Sequence, residues 1–156
     1  MARYNRIFAA LDGTEAQIAI ARRTLSIAHD NKAEVLFAHV IDASELEMGR
    51  VSVDEYVNKS KQAIENALER QLAKAANDEC LPSVEIKVAA GRTNDVLGEL
   101  AKDFNPDLVI CGVRGLSNIK YAFVGSTSTF LVRHMECDVL VVRPEAIEEI
   151  DESEYE

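Results

Sequence analysis

Long apolar runs are missing from this chain. None approaches the roughly 20 residues that a membrane-spanning helix needs, so an α-helical membrane protein is excluded. The first residues, MARYNRIFAAL, lack a basic segment followed by an apolar block and a small-residue cleavage site. No secretory signal is expected, and the cytoplasm is the expected location. Cysteine is scarce and unpatterned: Cys80, Cys111 and Cys137 are odd in number and show no CxxC spacing, which argues against a disulfide framework or a zinc motif. They read as buried or inert thiols of a reducing compartment. His29, His39 and His134 are scattered with no HxxxH pair, so no metal site is predicted. The GxSxG elbow, the GxxxxGK phosphate loop and the GxGxxG dinucleotide fingerprint are all absent.

Positive charge is also in short supply. The net charge is −10, from 27 acidic and 17 basic residues. Seven of the acidic residues follow Arg143 (Glu145, Glu148, Glu149, Asp151, Glu152, Glu154, Glu156), with no basic residue among them. Setting those seven aside leaves 20 acidic against 17 basic residues, so the body is nearly balanced and the acidity is a tail. No basic patch supports nucleic-acid binding, and an acidic tail opposes it. Residues 1–144 are therefore expected to form one domain, followed by an acidic, solvated, disordered tail over 145–156.

What is present is alternation. At 156 residues, 47% apolar and 28% charged, the chain has the composition of a globular domain able to bury a core. Apolar strand candidates run over Arg6 to Leu11, Glu34 to Ile41, Val84 to Ala90, Asp107 to Cys111 and Asp138 to Val142. Between them lie helical patterns. The first opens at Thr14, which with Gln17 reads as a capping box, and carries Ile18, Ala21, Leu25 and Ala28 on one face. A long one runs from about Val53 to Ala76. A third is capped by Thr93 and ends at Asn105-Pro106, and the last spans about Ser126 to Met135. Five strands alternating with four helices predict a doubly wound α/β domain, a parallel sheet covered on both faces. Ligands of such sheets sit beyond the carboxyl ends of the strands. The loops after Leu11, Val40 and Cys111 are the places to look.

The last of these loops carries G-x2-G-x9-G-S: Gly112, Gly115, Gly125 and Ser126. Gly112 and Gly115 directly follow a strand, where a missing Cβ lets a ligand approach the backbone. Gly125 and Ser126 open a helix, whose free N–H groups and dipole favour an anion, and Ser126 and Thr127 add hydroxyl donors. Arg114 and Lys120 can offer charge to a polyphosphate. The same glycines also read as turn residues ahead of an ordinary N-cap serine. Asp12, ending the first strand, suits a ribose hydroxyl, a base amino group or a metal, and equally suits a turn or helix-entry cap. Val40 can present backbone and an apolar wall to a base, or be an ordinary core valine.

Taken together, LDGTE around Asp12, FAHVI in the second strand and DLVICGVRGLSNIKYAFVGSTSTFLVRHMECDVLVVRP resemble the universal stress protein family, from Tyr4 to about Pro144. The G-x2-G-x9-G-(S/T) signature of its ATP-binding members is complete. The resemblance implies a three-layer, single-domain α/β fold with strand order 3-2-1-4-5. It also implies an adenine-nucleotide site for ATP, with or without Mg2+, or for AMP or cyclic AMP. Asp12 would meet the adenosine and Val40 the adenine. Gly112 and Gly115 would lie along the ribose and phosphates, with Ala10, Cys111 and Arg114 beside them, and Gly125, Ser126 and Thr127 would hold the phosphates. It implies further a homodimer through Val139 to Val142. Two positions depart from many ATP-binding relatives, which have proline where this chain has Ala10 and Asp138. The functional expectation is a nucleotide-binding stress-response or signalling protein. The alternatives are a nucleotide-free interaction protein acting through its dimer surface, and a slow ATPase using Asp12. No nucleophile–base pair supports a catalytic assignment.

Overall fold

A computed structural model describes residues 3–42, 52–113 and 125–143. The strands are β1 (Arg6–Ala10), β2 (Glu34–Asp42), β3 (Val84–Gly91), β4 (Leu108–Gly112) and β5 (Asp138–Val142). The helices are α1 (Ala16–Asn31), α2 (Val53–Ala67), α3 (Glu69–Ala76), α4 (Thr93–Phe104) and α5 (Ser126–His134). All strand pairs are parallel, in the order β3-β2-β1-β4-β5. The expected doubly wound architecture is therefore present.

Period-two side-chain direction divides each central strand between two cores. Ile7, Ala9 and Leu11 of the first strand face one layer with Val35, Phe37, Leu108 and Ile110. There they pack against Ala19, Ile20, Ala21 and Ala28 of α1, with Ile64 and Leu68. Phe8 and Ala10 face the other layer with Leu36, Ala38, Val40, Val109 and Cys111, beneath Leu97 and Ala101 of α4 and Leu131 of α5. Both sheet faces being covered explains why these strands read as continuous apolar runs.

The long helical pattern expected from Val53 is present to Ala76 with a break at Leu68, so the helices count as four, or as five when α2 and α3 are separated. Leu68 is fully buried with φ −101° and ψ 16°, yet its N–H still donates to Ile64 O and its carbonyl accepts from Leu72 N–H. The helix thus turns to bury one leucine without losing its hydrogen-bond ladder. Two local expectations, both helix caps, are corrected. Thr14 and Gln17 form no reciprocal box: Glu15 precedes α1 without a side-chain cap, and the Gln17 side-chain oxygen is buried without a hydrogen bond. Thr93 is the first helical residue rather than the cap, because Arg92 precedes it and accepts at its carbonyl from Val96 N–H. No helix among the described residues is long and apolar enough to cross a membrane.

Candidate functional site

The chain winds outward from β1 to β3 and then returns to lay β4 beside β1, so the winding direction reverses between β1 and β4. A parallel sheet opens a crevice at the carboxyl ends of the strands at such a reversal. A cleft of about 370 Å³ lies there, within the roughly 300–1,000 Å³ of small-molecule sites. The end of β1 contributes Ala10 and Asp12, β2 contributes Val40, and β4 contributes Cys111 and Gly112. Gly125 and Thr127 close it from α5. Seven of the ten residues expected at the site thus share one cleft. Ser126 lines a neighbouring hollow with Thr127, Asn94 and Asp42, and Arg114 and Gly115 lie outside the described residues.

The β1–α1 turn is built by Asp12. Its Oδ1 accepts from Thr14 N–H at 2.9 Å and from the Thr14 hydroxyl at 2.7 Å. Oδ2 takes no part in this turn. Gly13 follows with φ +80°, a conformation that favours glycine, and a Cβ there would stand 3.3 Å from His39 Cε1. His39 donates from Nδ1 to Leu11 O at 2.9 Å, which leaves Nε2 as the acceptor nitrogen beside the cleft.

The start of α5 is arranged differently. Gly125 precedes the helix in extended conformation and offers no side-chain cap. The first helical bond runs from Thr129 N–H to Gly125 O, so the N–H groups of Ser126, Thr127 and Ser128 have no intrahelical acceptor. First-turn donors of this kind and the positive end of the dipole favour an anion. Thr127 donates from its hydroxyl to Asn94 Oδ1 at 3.2 Å, and the buried Ser128 hydroxyl donates to Gly112 O at 2.9 Å. Ser128 thereby locks α5 to the end of β4. Burial pushes the Cys111 thiol up, with the Ser128 hydroxyl pulling the other way, so this thiol stays protonated in the wall of the cleft.

Gly112 has a role that spacing did not disclose. A Cβ on it would meet Ile20 Cδ1 at 2.8 Å, so the glycine makes room for the α1 side chain at the cleft floor. Ile20, Gly13, His39, Thr93, Leu97 and Ser128 all line the cleft and were not expected there from the sequence. Their contributions depend on side chains arriving from other elements, a relation no local spacing records. Ser128 alone carried a signal, as the third hydroxyl of the run that opens α5.

Residues 3–143 match the universal stress protein family. A Staphylococcus saprophyticus protein bearing that family name is 31% identical over 150 residues, covering 96% of this chain and 89% of its own. Among solved structures, the universal stress protein UspA from Lactobacillus plantarum superposes with a TM-score of 0.72 at 24% identity, over 92% of this chain and all of its own. A universal stress protein in complex with cAMP superposes with a TM-score of 0.62 at 25% identity, over 89% of this chain and 96% of its own.

Proposed function

Because the chain belongs to the universal stress protein family, we propose that it is a stress-response or signalling protein that binds an adenine nucleotide, ATP or cyclic AMP or AMP, in the cleft at the β1–β4 reversal. The observation that carries this reading is the start of α5, where Gly125, Thr127 and Ser128 line the same cleft as Asp12 and Val40 and the first-turn N–H groups have no intrahelical acceptor. The neighbour holding cAMP supports it. The base would lie against Val40 and the ribose beside Asp12, with the phosphates at Gly125, Ser126 and Thr127. Ala10, Cys111 and Gly112 would supply wall and floor, and Arg114 and Gly115 the outer loop. Mg2+ would arrive with the phosphates of ATP. The role is binding, with slow hydrolysis at most; Asp12 and Asp42 are the carboxylates that line the cleft.

The test is direct in a chain without tryptophan, because bound adenine then dominates the ultraviolet spectrum. Purified protein should carry adenine nucleotide, or bind ATP, AMP or cyclic AMP by calorimetry with or without Mg2+. A protein that carries none and binds none would sink the reading.

A second reading has its own observation. β5 is an edge strand paired only with β4 among the described residues, and Val139, Leu140 and Val141 are half-buried. An unpaired edge of this kind suits pairing with a second copy. A nucleotide-free protein acting through that homodimer would sediment as a dimer whether or not nucleotide is added.

A further inference from the structure

His29, Asp78 and Cys80 converge on the side of α1 away from the nucleotide cleft. His29 lies in the last turn of α1, and Asp78 and Cys80 lie in the turn between α3 and β3. One metal-ligating atom of each lies within 4.8 Å of the other two, the one such cluster among the described residues. His29 Nδ1 is 2.6 Å from Asp78 Oδ2. The Cys80 backbone N–H donates to Asp78 Oδ1 at 2.8 Å, which fixes the carboxylate with its other oxygen toward the imidazole. A backbone donor orienting a carboxylate in this way is the usual support of a metal ligand.

We infer that His29, Asp78 and Cys80 form a binding site for a zinc-class divalent transition metal. One imidazole nitrogen, one carboxylate oxygen and one sulfur make a mixed N/O/S donor set, which suits zinc, with water as the fourth tetrahedral ligand. Zinc–ligand bonds of about 2.0–2.3 Å set tetrahedral ligand atoms roughly 3.3–3.8 Å apart, so no pair need close by more than about 1 Å, while the imidazole and carboxylate, now 2.6 Å apart, move apart to admit the ion. The exposed imidazole gives the ion a way in. Thiolate and carboxylate together neutralise the ion, which matters because Arg22, Arg70 and Lys74 line the adjoining hollow with His29 and Asp78. A hard cation held by oxygen and net charge, such as Mg2+ or Ca2+, is disfavoured there. On binding, the proton that His29 Nδ1 shares with the carboxylate leaves for Nε2 or the buffer, and Nδ1 and the carboxylate oxygen bond the metal in its place. The thiol proton leaves to the buffer as the sulfur–metal bond forms, and nothing is oxidised or reduced. The ion would tie the end of α1 to the α3–β3 turn, 49 residues away in sequence, and so stabilise the fold by mass action.

The test uses tag-free full-length protein stripped by a chelator, without nucleotide. Calorimetry should find one Zn2+ per chain, with a raised melting temperature and no response to Mg2+. Co2+ should give a thiolate-to-metal charge-transfer band. Cys80→Ser should abolish that band and weaken Zn2+ at least tenfold, while Cys137→Ser should change neither. His29→Gln, at an exposed position that tolerates replacement, should also weaken Zn2+ at least tenfold. No thiolate band in the wild type, a band that persists in Cys80→Ser, or unchanged Zn2+ affinity in His29→Gln overturns the proposal and leaves a His29–Asp78 ion pair only.

Discussion

The two ends of the parallel sheet are built on opposite principles. At the amino ends of the strands, side chains stitch neighbouring elements together. Asp107 accepts from the N–H groups of Asn5 and Arg6 at 2.7 and 3.1 Å. Arg6 donates from Nε to Phe104 O, lies over the Phe104 ring and pairs with Glu34. Asn31 Oδ1 accepts from Arg3 and Tyr4 N–H, and the Tyr4 hydroxyl donates to Asp138. At the carboxyl ends the ties are single neutral bonds, His39 to Leu11 O, Thr127 to Asn94 and Ser128 to Gly112 O, and the first N–H groups of α5 have no intrahelical acceptor. Polar groups left unsatisfied by the chain itself are costly unless water or a ligand meets them. The stitched end therefore holds the fold, and the open end is where binding free energy remains to be gained. Substitutions at the two ends should separate stability from affinity.

The largest separation is expected at Ser126, an exposed residue in the first turn of α5. Ser126→Asp puts a carboxylate where the proposed phosphates meet the helix. Nucleotide affinity should fall on the order of a hundredfold, about 2.8 kcal/mol. The same charge favours the helix dipole, so the ligand-free melting temperature should hold or rise slightly. Calorimetry and thermal melts of one preparation give both quantities, and unchanged affinity would remove α5 from the site.

The reciprocal change belongs to the stitched end. Asp107→Ala deprives two backbone donors of their acceptor and should cost about 2 kcal/mol of stability. Nucleotide affinity should stay within twofold, since Asp107 stands at the far end of β4 from the cleft. A large loss of affinity without loss of stability would break the division between the ends.

Gly112 tests the boundary. It lies at the open end, yet a Cβ on it would press on the buried Ile20 and its carbonyl accepts from Ser128. Gly112→Ala should therefore destabilise the ligand-free protein by about 1 kcal/mol, and adding Ile20→Val should recover part of that loss. If the glycine serves only to admit a ligand, chemical denaturation will show no stability change and no recovery.

Legibility in the sequence follows the same division between local and non-local causes. Element order, the two-faced apolar strands and the helix opening at Ser126 were readable because each rests on spacing within one segment. Of the seven expected site residues that meet in one cleft, Ala10 and Cys111 were expected only from the family resemblance. The Thr14–Gln17 capping box failed because Glu15 rather than Thr14 adjoins the helix, and the Thr14 oxygen, while donating to Asp12, accepts from Ala16 N–H instead. His39 was, in the sequence, one of three scattered histidines. Its tautomer is fixed by Leu11 O, but the contact with Gly13 that puts it beside the cleft crosses from β2 to the β1–α1 turn. The His29–Asp78–Cys80 cluster was invisible to motif spacing for the same reason, since α1 supplies one ligand and the α3–β3 turn the other two.

The smallest expected effect lies at the stitched end and depends on pH. The hydrogen bond from the Tyr4 hydroxyl to Asp138 raises the phenol above its ordinary value of 10.0, helped by partial desolvation and by the carboxylate charge. The folded state thus holds the proton more tightly than the unfolded chain. The stabilisation is fully present below the unfolded value and is lost as pH rises through the raised folded one. Tyr4→Phe should accordingly be slightly less stable than wild type at neutral pH, with a gap that closes on the alkaline side of 10.0. Urea midpoints measured across that range read the gap directly. A gap of constant size through the alkaline limb would mean that Tyr4 contributes by packing alone. Nucleotide affinity at neutral pH should be the same in both proteins, because the bond ties the segment before β1 to the start of β5, at the end of the sheet opposite the cleft.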